Sequence, residues 1–405
     1  MTRWLLTTLV LACLVTSTQP GHAQEAFGPS GFPVDPELLP PLRDRGFLYD
    51  VDSQFDLDVR ETVERSWIRL EYLNWSVTDP GDVYLGAPLA TFDRQGSFPT
   101  GVPVPNPGTS AFPVNDAFGA RPGFFGFVPD LGDIRFQNNN GIRGTIGVPL
   151  QPFTFEGSAW YLGQDKQRLH FDPVSLGGQI LIPTITYYNN GVLSNNSMTP
   201  FDSSYDAVVD VNLFGADTNL VLNPIQPGNP IQVQPLVGLK YLSYRNSLTI
   251  SGVDVANGSN PVLGSSSENN TFGPQFGLRF SYDTKWVSFS FDPKVTFGIN
   301  RHIDSVHSEQ LFTSTELPKT VQEENTSFSP IFDMGVTSRV HLGPHLSVFV
   351  SYNLMAIGNQ STSWESIYYN APAAPLTDPS AIDLDVRKKA VVTHGITIGG
   401  ELRFR

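Results

Sequence analysis

The side chains in this chain that could do chemistry are few, and most are charged. A hydrolytic site needs an acid or nucleophile beside a histidine that a third group orients. His302, Asp304 and His307 form one candidate cluster, and His394 with Ser363 another. Each is more simply a polar loop or interface residue. His302 and His307 stand five apart, a spacing without the i, i+4 logic of a helical zinc pair, and no HExxH or CxxC motif accompanies them. Asp378, Asp383 and Asp385 lack the spacing and glycine of an EF-hand. Nucleotide-binding and serine-hydrolase signatures are missing too. The sequence therefore predicts no catalytic residue, no cofactor and no metal ligand.

A second set of charges is more orderly. Arg69, Arg143, Lys240, Arg279, Lys294, Arg339 and Arg403, with Glu71, Glu156, Asp206, Asp210, Asp292, Asp333 and Glu401, fall on the polar side of stretches that alternate polar with apolar residues. Seven positive and seven negative groups on one side of a sheet are what the near-neutral wall of an aqueous lumen needs. These fourteen residues are the expected pore lining. Charges of opposite sign could line separate walls of a weakly selective path, or pair across a narrow bore and fill it.

The elements that must carry these residues are strands. From Val287 to Ile299, Val287, Phe289, Phe291, Pro293, Val295, Phe297 and Ile299 alternate with Ser288, Ser290, Asp292, Lys294, Thr296 and Gly298. A period of two puts one set on each face of a strand. Ten such stretches are predicted, at 66–76, 133–148, 153–163, 204–214, 231–246, 271–283, 286–300, 327–341, 346–355 and 390–404. Short turns such as 149–152, 283–285 and 342–345 alternate with connections of tens of residues. That asymmetry belongs to a closed antiparallel transmembrane β-barrel with short periplasmic turns and long extracellular loops. Residues 178–188 leave open an eleventh strand with a partner, hence a barrel of twelve, or a loop folded into the mouth. Trp67, Tyr72, Trp75, Tyr282, Trp286, Tyr352 and Phe404 read as interfacial girdles. The amphipathic last strand reads as the signal for the outer-membrane assembly machinery.

Composition agrees. Residues 1–23 have the positive start, apolar stretch and small-residue cleavage site of an export signal. The only cysteine, Cys13, lies within it, so the mature chain has no disulfide framework and no thiolate chemistry. The net charge of −14 becomes −15 when Arg3 leaves, which argues against nucleic acid as a partner. Residues 24–63 are Pro-rich, then acidic, and read as a periplasmic leader before a barrel at 64–405.

Several segments resemble a family of planctomycete outer-membrane proteins called putative beta-barrel porin type 7. They are Trp67-Ile68-Arg69-Leu70-Glu71-Tyr72-Leu73-Asn74-Trp75, Gly238-Leu239-Lys240-Tyr241-Leu242 with Ser247-Leu248-Thr249-Ile250, and Asn270-Thr271-Phe272-Gly273-Pro274-Gln275-Phe276-Gly277. Trp286 with Lys294-Val295-Thr296-Phe297-Gly298, Pro344-His345-Leu346 with Tyr352-Asn353, and Gly395-Ile396-Thr397-Ile398-Gly399-Gly400-Glu401-Leu402-Arg403-Phe404 continue the match. Ser351 before Tyr352-Asn353, Met355-Ala356-Ile357 after it, and a final Arg405 depart from the pattern at the barrel rim. The resemblance implies an outer-membrane barrel in contact with lipid. The expected role is passive diffusion of small polar solutes or ions. The alternative is a plugged structural or receptor barrel that shows the loops 77–131, 164–203 and 356–388 to a partner.

Overall fold

A computed structural model describes residues 62, 64–86, 104–106, 109–113, 125–150, 152–176, 178–188, 192–225, 229–256, 258–311, 314–369 and 382–404. The stretch 1–23, read from the sequence as an export signal, and nearly all of 24–63, read as a leader, lie outside them. Ten antiparallel strands close into a barrel: β1 (Trp67–Val77), β2 (Asn139–Leu150), β3 (Phe153–Phe171), β4 (Ser204–Leu222), β5 (Ile231–Val253), β6 (Val262–Asp283), β7 (Val287–Glu309), β8 (Lys319–His341), β9 (Leu346–Ser361) and β10 (Lys388–Arg403). Each strand pairs with its chain neighbour, and β1 pairs with both β2 and β10, so no edge is left open. Closure is what lipid demands, because an unpaired backbone group there has no water to bond.

Every predicted strand is present, and there are ten, not twelve. Residues 178–188 are indeed a strand with a partner, but not in the barrel. They pair with Val192–Phe201 and belong to a separate five-stranded sheet with Val104–Asn106, Thr109–Pro113 and Phe125–Pro129.

The strands are much longer than a membrane requires. Transmembrane β-strands need about 9–11 residues, whereas β5, β7 and β8 have 23 each. The outward face shows where lipid ends. Phe289, Phe297 and Ile299 are half exposed on β7, and the next outward residue is Arg301, paired with Glu324 at 2.7 Å. At about 3.3 Å per residue and a tilt near 45°, Val287 to Ile299 rises about 28 Å, close to the roughly 25 Å apolar band of such barrels. Outward tyrosines bonded to polar groups on the neighbouring strand mark the outer boundary. Tyr72 donates to Asn140 (2.5 Å), Tyr241 donates to Asn270 (2.7 Å), and Asn212 donates to Tyr161 (2.9 Å). Tyr282 and Trp286 are exposed at the short-turn end, as a girdle requires.

Above that level the outer face turns polar, and on several strands the inner face turns apolar, although β6 and β7 keep Ser267, Asn269, Asn300, His302 and Asp304 inside. On β5, Leu242, Tyr244, Leu248 and Ile250 are buried inside, while Arg245 faces out and pairs with Glu268 at 2.7 Å. Trp75, read from the sequence as an interfacial residue, belongs to this interior. It is buried, and its ring lies 5.3 Å from that of Trp160. Room for the two indoles comes from glycine on the next strand: Trp75 faces Gly395, and Trp160 faces Gly215. A Cβ at either glycine would overlap the ring.

Two outcomes test this assignment. Val295→Arg, near the middle of that band, should destabilise the refolded barrel by about 2–4 kcal/mol, as a cation near the bilayer midplane does, and the inward Ser290→Arg by far less; equal urea midpoints for the two would place lipid on the wrong side. Gly215→Val should cost about 1–3 kcal/mol through overpacking against Trp160. Gly144→Val, where a Cβ meets nothing within 4 Å, should leave the midpoint close to that of the parent.

Candidate functional site in the barrel interior

The pleat aims the charged residues of the lower, short-turn half of the barrel into one layer. Register pairs set two contacts directly: Glu71 opposite Arg143, at 2.6 Å, and Arg69 opposite Glu401, at 2.5 Å. Other contacts cross the bore. Arg279 on β6 grips Glu156 on β3 with two parallel bonds of 2.7 and 2.8 Å, although β4 and β5 lie between those strands. Lys240 on β5 reaches Asp333 on β8 at 2.8 Å, past β6 and β7. Arg279 also holds Asp292 at 3.2 Å, Lys294 approaches Asp333 at 3.9 Å, and Arg339 and Arg403 join Arg69 on Glu401. A cavity of about 250 Å³ remains among these groups.

Twelve of the fourteen expected lining residues are therefore brought together. Asp206 and Asp210 are not. They lie on the outward face of the upper half of β4, where Asp206 binds Arg168 and His170, each at 2.7 Å, and Asp210 accepts from Gln164. The prediction of 204–214 caught only the part of β4 beyond the lipid, where the apolar face (Tyr205, Ala207, Val209, Val211) points inward. Reading apolar as outward there reversed the assignment. The lower half of β4 supplies Asp217 instead, and Asp283 stands at the lower rim. Its signal was the alternation of Phe214, Ala216, Thr218, Leu220 and Leu222, too weak in apolar character to declare a strand. The wall still carries seven cations and seven carboxylates among the described residues.

Above the charges comes a layer of amides and hydroxyls. Gln275 donates to Asn219 at 2.7 Å and accepts from Thr296 at 3.2 Å. Higher still, the bore is filled with apolar side chains. Leu73 and Trp75 of β1, Trp160 and Leu162 of β3, Val209 and Leu213 of β4, Leu248 of β5, Leu263 of β6, Val306 of β7, Ile331 of β8, Ile357 of β9 and Val391 of β10 are all at most 4 % exposed and belong to one cluster. Strands from around the circumference meet there, so the cluster seals the bore transversely.

The chain after β9 completes this seal. Instead of leaving the barrel as a surface loop, residues 361–369 turn inward. Asn269 Nδ2 donates to the Ser361 carbonyl (3.0 Å) and its Oδ1 accepts from the Ser361 amide (2.9 Å), while Asn246 accepts from the Ser363 amide at 2.6 Å. Trp364, Ile367, Tyr369 and Ile382 then enter the core, and the Trp364 ring lies 6.4 Å from that of Phe136. Burial pushes the Tyr369 hydroxyl well above its usual range, which keeps it neutral there.

The residues weighed for hydrolysis occupy different places from those expected. His302 and Asp304 are in β7, not in a loop, and face inward, fully buried. His302 Nδ1 lies 2.6 Å from Asp304, and Ser267 donates to the other oxygen of the same carboxylate at 2.5 Å. The acid stands between serine and histidine, an order that gives the serine no base. His394 faces outward beside the Tyr352 hydroxyl at 3.2 Å, while Ser363 is buried inside.

Among solved structures, the outer membrane protease OmpT from Escherichia coli is similar over 85% of this chain and 98% of its own, with 12% identity and a TM-score of 0.44. A Pseudomonas aeruginosa FadL homologue covers 84% of this chain and 90% of its own, with 10% identity and a TM-score of 0.21. The toluene transporter TodX of P. putida, at 9% identity, covers 84% and 90% with a TM-score of 0.17. Likenesses this distant say nothing of what the chain does. No curated protein matches it in sequence. The family model described as Putative beta barrel porin-7 matches residues 129–404, which takes in nine of the ten barrel strands, and the chain belongs to that family of outer-membrane β-barrels.

Proposed function

We propose that this protein is an outer-membrane barrel closed in its resting state, which anchors a folded outer head in the lipid and presents it to a partner outside. The observation that carries this reading is the apolar cluster across the upper bore. A water column could not pass side chains that are at most 4 % exposed without disrupting them. The extra length of the strands supports it, since about ten residues of β7 stand beyond the lipid band and serve the head, not the crossing. On the same reading residues 1–23 direct export, 24–63 form a periplasmic leader, and the amphipathic β10 is what the assembly machinery engages.

A second reading, passive passage of small polar solutes or ions, is favoured by one feature: the charged cavity of about 250 Å³ beneath the seal. Passage would then require the inward segment after β9 to leave, breaking its bonds to Asn246 and Asn269. The fourteen lining residues proposed from the sequence would be reduced to the twelve of the charged layer, together with Asp217 and Asp283.

Conductance separates the two. The mature chain from Gln24 to Arg405, refolded and shown to be folded by a heat-dependent shift on unboiled gels, is expected to be electrically silent in a planar bilayer. Stable steps with weak charge selectivity from the same preparation would overturn the closed reading and establish passage. Under the closed reading, Asn246→Ala with Asn269→Ala should expose the segment near Trp364 to protease while β10 stays protected.

A further inference from the structure

One carboxylate of the charged layer is shared by three arginines. Glu401 is fully buried, and around it stand Arg69 Nε at 2.5 Å from Oε2, Arg403 Nε at 2.8 Å from Oε1, and Arg339 Nη2 at 3.3 Å from Oε2. Two of these guanidiniums are held by aromatic faces. The Phe349 ring lies 5.9 Å from the Arg69 guanidinium carbon and 6.0 Å from that of Arg339, and the Trp67 ring lies 4.0 Å from Arg69. Phe349 in turn lies over its register partner Gly399, where a Cβ would come within 2.6 Å of the ring. The arginine positions are thus fixed by packing as well as by charge.

The donors outnumber the acceptor. Three guanidiniums offer about fifteen N–H groups, and one carboxylate accepts about four bonds. The local charge is +2, from three cations and one anion. Of the other carboxylates lining the cavity, Glu71 has Arg143, Glu156 and Asp292 have Arg279, and Asp333 has Lys240, while Asp217 accepts from Ser158 and Asn219 and Asp283 stands at the rim; none of them is paired with the three arginines. Arg339 Nε is buried with no hydrogen-bond partner among the described residues. All three arginines line the cavity, and Arg403, nearly half exposed, opens it toward the short-turn end.

We infer that Arg69, Arg339 and Arg403 form a binding site for a small, doubly charged oxyanion of the phosphate or sulfate type, entered from the periplasmic side. A planar guanidinium fork matches two oxygens of such an anion, and three forks converging on one cavity match its tetrahedral shape. The excess positive charge supplies the attraction that offsets the hydration such an anion loses on leaving water. The site lies below the apolar seal, so it stands whether or not the barrel ever opens.

The test is calorimetric titration of the refolded mature chain in detergent with sodium phosphate, and separately with sodium sulfate, at constant ionic strength in chloride. Saturable binding at one site per chain is expected, with sulfate displaced by phosphate. Arg339→Gln and Arg403→Gln should each weaken it at least about tenfold, the loss of a charge-assisted bond. Arg168→Gln, on the outer surface, should not change it. If Arg339→Gln does not regain the heat-dependent gel shift, Arg403→Gln decides alone, because that side chain is the most exposed of the three. No saturable heat, or unchanged affinity in folded Arg403→Gln, would overturn the site.

Discussion

The structure depends on a mismatch between a pleat of constant period, broken only at bulges in β3 and β9, and a solvent that changes along each strand. Each barrel strand keeps its odd and even residues on fixed faces except where a bulge swaps them, between Leu162 and Asp165 of β3 and between Ile357 and Gln360 of β9, yet its outer face lies in lipid over the lower half and in water over the upper half. The outer face must therefore change from apolar to polar at one height. On β7 that height falls between Ile299 and Arg301, on β6 between Phe272 and Asn270, and on β5 between Tyr241 and Arg245. Since adjacent strands are locked in register by their hydrogen bonds, the exchange occurs at one level around the barrel, where the tyrosine–asparagine pairs lie.

This exchange makes the two halves of the interior chemically unlike. Where the outside is oily, the inside must take the polar residues, and in a bore of ten strands charges cannot all reach bulk water. They meet each other across it, as Arg279 meets Glu156 and Lys240 meets Asp333. Burying such a pair costs desolvation that its attraction only roughly offsets, whereas removing one partner leaves a stranded charge and costs several kcal/mol. The network thus fixes which strands face each other more than it adds net stability. Where the outside is wet, the inside holds the apolar cluster, with the buried polar groups Ser267, Asn269, Asn300, His302 and Asp304 of β6 and β7 bonded to one another beside it.

The parts of the fold legible in the sequence are those where lipid imposes a clean alternation. Val287–Ile299 and the last strand announced themselves, and the short turns 149–152, 283–285 and 342–345 located one end of the barrel. The upper halves were not legible, because their inverted pattern, as in Tyr205 to Val211, reads equally well as a strand facing the other way. No single-residue property distinguishes an apolar side chain that touches lipid from one that touches a core. Trp75 and Asp206 were misplaced for that one reason, in opposite directions. The inward turn of 361–369 had no local signal at all, since its bonds to Asn246 and Asn269 join residues about a hundred positions apart.

Neutrality of the charged layer nevertheless survived the wrong membership, and this follows from the energetics of the bore. A narrow, partly dry interior tolerates a charge only with an opposite one near it, so the balance is a property of the space and not of any particular pair of aspartates. Asp217 and Asp283 occupy the place that Asp206 and Asp210 were given. Balance over the whole layer does not require balance at each point. The three arginines on Glu401 leave positive charge on the wall formed by β1, β8 and β10, while the single Arg279 between Glu156 and Asp292, and the carboxylates Asp217 and Asp283, leave negative charge elsewhere, partly offset by the two lysines on Asp333. A neutral layer with separated excesses carries a field across the bore, and the cavity of about 250 Å³ lies within that field.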